Sequence, residues 1–263
     1  MEKAVVKIVK LGGSVITVKD KFKALRTDVA KRLVSELSRY YKESGESARV
    51  VVIHGGGSYG HPIVKDCVSK YGFIDRDCYV ETADSMDTLN YVLKKYALAA
   101  GLPVVSLPPR SFCTISSKNP VCHIEALATL LYKGLVPLTY GDVITSDKGF
   151  EVISGDTLAW YIARELRIGE IVFVTDVDGL YDSDPKTNPG AKKISRASID
   201  EVLGFLSISS SKVDVTGGMV RKLYEGRVLG LRNVKVKIVS GFIENNLYSA
   251  LTSDNFVGSV VCY

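Results

Sequence analysis

Six short runs rich in β-branched residues set the strongest constraint on how this chain can fold. They are Val5–Leu11, Val50–Ile53, Val104–Leu107, Val136–Leu138, Ile171–Val174 and Val234–Val239. Longer stretches with helical apolar spacing separate them, near Asp28–Tyr41, Tyr59–Tyr71, Ala83–Ala100, Ile124–Lys133, Thr157–Arg167 and Gly218–Leu229. Strands alternating with amphipathic helices predict an α/β fold, a three-layer α/β/α sandwich around a mostly parallel central sheet. Phe150–Ile153 reads as part of a short hairpin around Ser146-Asp147-Lys148-Gly149, and Pro185–Gly190 reads as a loop. No internal repeat or low-complexity tract interrupts the pattern, and a division into two lobes is expected near Arg167–Glu170.

Composition narrows the classes. At 263 residues, 46% hydrophobic and 24% charged, the chain is long enough to bury a substantial core. A net charge of +5 is mild and favours an anionic ligand at most. The basic cluster Lys19-Asp20-Lys21-Phe22-Lys23 is short and contains an acid, so no nucleic-acid partner is expected. Five cysteines without a C-x-x-C spacing predict reduced thiols and argue against both a disulfide framework and a zinc site. The first residues enter a charged strand rather than an apolar signal core, and no run reaches the roughly 18 apolar residues of a membrane span. These features predict a cytoplasmic protein with no membrane partner.

Glycines stand at the ends of the strand runs: Gly12-Gly13-Ser14 after the first, Gly55-Gly56-Gly57 after the second, Gly141-Asp142 and Asp176-Val177-Asp178-Gly179 after later ones. In a parallel sheet, ligands sit at that carboxyl edge. The stretch HGGGSYGHP (54–62) formally matches the dinucleotide fingerprint G-x-G-x-x-G. The fingerprint requires a second strand ending in an acid about 20 residues on, yet Val68–Ile74 has no β-branched run to form one. Tyr59 is large for its site, and His61 and Pro62 are placed in the first turn of the next helix, where small residues belong. The ATP-binding P-loop motif G-x-x-x-x-G-K-[ST] is missing as well. What survives is an anion cradle: consecutive glycine N–H groups leading into a helix N-terminus.

Charged residues flank these turns. Lys10 ends the first strand, Lys19 follows in the next loop, and Lys222 lies in a helix opened by Thr216-Gly217-Gly218. Asp156, in Ser154-Gly155-Asp156-Thr157, either caps a helix or faces the lysines. Glycine cradles, three lysines and one aspartate suit phosphoryl transfer, which mainly requires positioning and charge neutralisation.

Taken in order, Lys10-Leu11-Gly12-Gly13-Ser14, the turn at 55–57, Gly141-Asp142, Ser154-Gly155-Asp156, Thr175–Tyr181 and Thr216–Met219 resemble the amino acid kinase superfamily over nearly the whole chain. Within it, KLGGSVITVK and HGGGSYGHP resemble the isopentenyl phosphate kinases of archaeal-type isoprenoid synthesis. The resemblance implies one amino acid kinase domain over residues 1–263, with an acceptor lobe over 1–168 and an ATP lobe over 169–263. It implies that Lys10, Lys19 and Lys222 contact the ATP phosphates and the transferred group, with Asp156 organising the lysines. Gly12, Gly13, Ser14 and Gly217 are implied at the nucleotide phosphates, and Asp176, Gly179, Tyr181 and Lys186 around the nucleoside. Gly56, Gly57, Gly155 and His61 would hold the acceptor phosphate. A homodimer, ATP and Mg²⁺ are implied too, with the metal carried by ATP oxygens and water. The same fold also serves fosfomycin-type kinases, and a non-catalytic sensor could retain it while losing its lysines.

His61 fits the acceptor role chemically. A helix N-terminus disfavours imidazolium, but a bound dianion favours it. A phosphate monoester has a second pKa near 6, so its oxygen can attack ATP without a general base. Met86, Leu89, Leu93 and Tyr96 have helical spacing and are expected to be ordinary core.

Overall fold

The computed structural model describes residues 5–45, 48–183, 188–208 and 217–263. All six β-branched runs are strands, and they lie side by side. The chain begins with β1 (Val5–Leu11), the one-turn α1 (Gly13–Ile16), α2 (Thr27–Ser44), β2 (Ala48–His54), α3 (Gly57–Tyr71), α4 (Arg76–Ala99) and β3 (Val104–Ser106). It continues through β4 (Cys113–Ser116), β5 (Asn119–Cys122), α5 (Glu125–Tyr132), β6 (Val136–Tyr140), β7 (Asp142–Ser146), β8 (Gly149–Ile153) and α6 (Gly155–Leu166). The last part comprises β9 (Glu170–Thr175), β10 (Leu180–Tyr181), β11 (Lys193–Ile194), β12 (Arg196–Ser198), α7 (Ile199–Ile208), α8 (Gly217–Val228), β13 (Lys235–Ser240), α9 (Asn246–Thr252) and β14 (Gly258–Cys262).

The main sheet has the order β12-β14-β13-β9-β1-β2-β6-β3. From β13 to β3 every pairing is parallel, whereas β14 runs antiparallel to β13 and carries β12 in parallel beside it. On one side of β1 the chain places β2, then the edge strand β3, then β6 between them, and it returns to place β9 on the other side. The crevice at the carboxyl ends of β1 and β9 is therefore the topological switch point, where open α/β sheets bind ligands. β1 and β9 pair along Lys7–Leu11, so the sheet continues through the expected lobe division.

Two apolar layers hold helices to the sheet. Ile8, Ile53, Ile171 and Phe173 pack with Trp160, Leu158 and Leu223 of α6 and α8 on one face. Val9, Leu11, Val52 and Val172 pack with Leu33, Leu37, Leu89 and Leu93 of α2 and α4, and with Leu247 of α9, on the other. Leu89 and Leu93 are thus core, as their spacing predicts.

Three features depart from the sequence reading. The β7–β8 hairpin joins the unanticipated β4–β5 hairpin in a second sheet, β5-β4-β7-β8. The α4 helix begins at Arg76 rather than near Ala83, because Asp75 caps it by accepting from the Cys78 N–H at 2.8 Å. The expectation of reduced thiols is corrected: Cys67 is bonded to Cys78 and Cys113 to Cys122, leaving Cys262 free. An odd cysteine count cannot reveal that a helical hairpin and a β-hairpin bring two pairs together. The first pair joins α3 to α4, with Cα atoms 6.3 Å apart, and the second faces across the β4–β5 register. No helix among the described residues is long and apolar enough to cross a membrane.

Candidate active site

The site is built on the last residues of β1. Strand alternation places Lys10 on the same face as Ile8, beneath the N-terminus of α6, and Lys10 is only 6% exposed. Gly155 opens that helix without a side chain; a Cβ there would lie 3.4 Å from Lys10 Cε and 3.2 Å from His54 O. Ser154 is the N-cap, its Oγ accepting from Thr157 N–H at 2.9 Å. The capping alternative for Asp156 is thereby removed. Asp156 instead lies in the first helical turn, where the dipole favours a carboxylate.

Asp156 gathers two lysines. Its Oδ1 is 2.7 Å from Lys10 Nζ and its Oδ2 is 3.3 Å from Lys222 Nζ. Burial pushes the Asp156 carboxyl up, but the charges of Lys10 and Lys222 outweigh this and hold it below the usual range. Burial lowers the Lys10 pKa, only partly offset by Asp156. Trp160, fully buried in α6, donates its indole N–H to Lys222 O at 2.8 Å, and Thr157 donates to Glu225 at 3.0 Å. These two bonds set the height of α8 against α6 and so bring Lys222 to Asp156.

The glycine turns after β1 and β2 touch backbone to backbone. A Cβ on Gly13 would lie 2.7 Å from Gly57 Cα, and one on Gly57 would lie 2.7 Å from Gly13 O. Gly57 also has φ +49°, a conformation that costs any other residue. The parallel ladder extends one residue beyond the strands. Gly12 N–H donates to Val174 O at 2.8 Å and Gly55 N–H to Leu11 O at 2.9 Å. The Gly12 amide is therefore taken up by the sheet. Among the described residues no hydrogen bond uses the N–H groups of Gly13, Gly56 or Gly57, which lie where the two turns meet. Ser14 is exposed beside them.

α3 starts at Gly57, so His61 and Pro62 lie in its second turn rather than its first. His61 is exposed to the cleft, yet desolvation lowers its pKa, followed by the positive charge of Lys10; Lys222 adds to this and Asp156 opposes it. It is therefore within electrostatic reach of the Lys10–Asp156–Lys222 cluster. Lys19 is not brought into that cluster; it lies exposed in the turn after α1.

On the other side of β1, Asp176 is exposed after β9 and its charge acts on Lys10. Gly179 has φ +147° and packs against Ser259. Tyr181 donates to Asp178 at 2.8 Å, and Lys193 pairs with Asp178 at 2.9 Å. Gly217 opens α8, while Lys186 and Thr216 lie outside the described residues.

Several contributing residues carried no signal in the sequence. His54 is fully buried, stacked on Tyr140, with Nδ1 3.2 Å from Gly55 O and Nε2 3.2 Å from Asn90 Nδ2. Facing a carbonyl, Nδ1 must carry the proton, so Nε2 accepts from Asn90. Asn90 Oδ1 accepts in turn from Ser106 at 2.6 Å. Burial, with Lys10 adding to it, pulls His54 down to about 4 and keeps it neutral. Asp142 of the Gly141-Asp142 motif faces Arg110 at 2.6 Å rather than the lysines. Met86 packs its sulfur against Gly56 and Gly60, flooring the cradle.

Chemically, the cleft offers free amides and two cations arranged on one carboxylate. Both oxygens of that carboxylate already face lysines. No group of three or more His, Cys, Asp or Glu among the described residues could hold a metal ion. This donor set fits a polyphosphate.

The chain matches the model of the amino acid kinase family over residues 6–240. It belongs to the amino acid kinase family. It is 33% identical to an isopentenyl phosphate kinase of Methanocaldococcus jannaschii, covering 94% of this chain and 95% of the relative. It is 31% identical to that of Thermoplasma acidophilum, covering 97% and 99%. A solved isopentenyl phosphate kinase superposes with a TM-score of 0.80 at 29% identity, over 97% of this chain and 99% of the other. The T. acidophilum product complex superposes at 0.74 and 25% identity, over 98% and 100%. The fold of this chain is the amino acid kinase fold.

Proposed function

We propose that this kinase transfers the γ-phosphoryl group of ATP to isopentenyl phosphate, forming isopentenyl diphosphate for isoprenoid biosynthesis. The observation that carries the reading is the commitment of Asp156 to Lys10 and Lys222 at 2.7 and 3.3 Å. The cleft thus concentrates charge neutralisers and leaves this carboxylate unsuited to act as a base. An acceptor that is already an anion needs none. Near-complete coverage by relatives named isopentenyl phosphate kinase supports the same acceptor.

In this reading Gly56 and Gly57 donate N–H groups to the acceptor phosphate, with His61 donating from the next turn and Gly155 leaving space beside it. Gly13, Ser14 and Gly217 hold the nucleotide phosphates, and Lys10 and Lys222 neutralise the transferring oxygens as Asp156 keeps their ammonium groups aligned. Lys19 reaches the same group from its loop. Asp176, Gly179, Tyr181 and Lys186 surround the nucleoside. Mg²⁺ carried on the ATP oxygens would supply further neutralisation of phosphate charge. Residues 1–168 form the acceptor lobe, which also lends Lys10, Gly13 and Ser14 to the ATP phosphates, and residues 169–263 form the ATP lobe. The active unit is a homodimer, and the location is the cytoplasm.

Phosphorus NMR with ATP, Mg²⁺ and isopentenyl phosphate tests the reading. The expected result is a new diphosphate pair of signals, and its loss in His61→Ala while the far-UV spectrum stays unchanged. Absence of product in the wild type, with fosfomycin phosphorylated instead, overturns the choice of acceptor. Full turnover in His61→Ala removes His61 from the site.

A further inference from the structure

Ser58 is 2% exposed, and each of its polar groups is directed to one stretch of chain, residues 17–24. Its N–H donates to Thr17 Oγ1 at 3.0 Å. Its Oγ lies 3.3 Å from Ala24 N and 3.4 Å from Ala24 O. Its carbonyl accepts from Lys23 N–H at 3.1 Å. That last bond depends on Pro62. In an uninterrupted helix the carbonyl of residue 58 would accept from the amide of residue 62, and proline has no amide to give. The helix therefore leaves one carbonyl for the loop.

Thr17 closes the other side. It is fully buried, and both its N–H (2.9 Å) and its Oγ–H (2.7 Å) donate to Gly13 O. A continuous hydrogen-bonded path thus runs from Gly13 through Thr17 and Ser58 to Lys23 and Ala24. It joins the β1 turn, the acceptor cradle and the loop that carries Lys19. The loop itself closes locally, Val18 N–H donating to Ala24 O at 2.9 Å, so it docks as a unit.

We infer that Thr17 and Ser58 are positioning residues, and that Pro62 frees the Ser58 carbonyl so that the Lys19 loop is held in register with both phosphate cradles. The inference rests on the phosphoryl-transfer reading above. In that reaction a misplacement of about 1 Å costs about 100-fold in rate, so the path bears on kcat rather than on binding.

Three variants test it. Thr17→Val keeps the shape and removes the hydroxyl; kcat is expected to fall about 30- to 100-fold, with both KM values within about threefold. Thr17→Ser restores the hydroxyl and is expected to recover most of that loss. Pro62→Ala supplies an amide that competes with Lys23 for the Ser58 carbonyl. It is expected to hold or raise the melting temperature while lowering kcat about tenfold, the opposite of what a purely structural proline would do. Backbone hydrogen exchange over residues 17–24 should quicken in Thr17→Val and Pro62→Ala but not in Thr17→Ser. Wild-type kcat in Pro62→Ala, or equal losses in the two Thr17 variants, overturns the inference; if Thr17→Val fails to fold, Pro62→Ala and Thr17→Ser decide. A wild type inactive on isopentenyl phosphate refutes the acceptor assignment instead, and the exchange measurement, which needs no substrate, still judges the path.

Discussion

Replacing Asp156 by asparagine removes the charge around which Lys10 and Lys222 are arranged while keeping size and shape. In the wild type the Lys10 side chain is 8% exposed and that of Asp156 12%, with 2.7 Å between their charged atoms. Removing one partner of a buried ion pair costs about 3–5 kcal/mol, because the other charge is left desolvated. Lys222 is one-third exposed and water can reach it, so the low end applies, about 3 kcal/mol. If that loss falls on the positioning of the lysines in the transition state, kcat drops about 100-fold. The loss also has a pH signature. Burial already lowers the Lys10 pKa, and Asp156 is the largest influence raising it. In Asp156→Asn, Lys10 should lose its proton at lower pH, so the alkaline fall in rate begins earlier than in the wild type. The assay is ADP release at saturating isopentenyl phosphate across the neutral to alkaline range, beside a thermal melt. A kcat within about threefold of wild type, or an unmoved alkaline limb, would refute the reasoning.

Three further outcomes follow from the same geometry. His54 has its pKa lowered to about 4 in the folded state against about 6.5 unfolded, so its contribution is present above the unfolded value and is lost as pH falls through that window. Denaturant titrations should show up to about 3 kcal/mol lost on acidification, and less in His54→Gln; an equal loss in both would clear His54 of the effect. Gly57→Ala forces a side chain into φ +49° and within 2.7 Å of Gly13 O, so it should cost at least about 1–2 kcal/mol and raise the acceptor KM; an unchanged melt and KM contradict the contact between the turns. Alkylation of denatured, unreduced protein should label Cys262 alone, and all five cysteines after reduction; labelling of all five without reductant excludes the disulfides.

Much of the fold was legible because burial on both faces demands β-branched runs, and each of the six runs became a strand of the parallel sheet. The second sheet was not legible: Cys113–Ser116 and Asn119–Cys122 are four residues each, too short for the single alternation in the first, or the exposed pattern of the second, to announce a strand. In the site, glycine turns could be placed at the carboxyl edge from sequence, but not which amides remain free. Gly12 and Gly13 look alike as letters, and only the pairing of β1 with β9 shows that the first is already used. Thr17, Ser58 and Asn90 were overlooked because isolated polar residues give no periodic signal; their importance comes from partners as far as 34 to 41 positions away.

Sequence alone determined the layer order, the six parallel strands and the glycine-bearing edge, since these follow from local periodicity and from where glycine permits close approach. Tertiary structure decided which charges act. Lys7, Lys10 and Lys237 are all lysines within strands, indistinguishable by pattern. Lys7 and Lys237 meet Glu170 and the carbonyls that end α9, donating to Leu251 O and Ala250 O at 2.7 Å, and are fully occupied there. Lys10 meets Asp156 at the opposite edge, beside three unused glycine amides. A lysine's role depends on what surrounds its ammonium group, and that environment is assembled from segments more than a hundred residues apart.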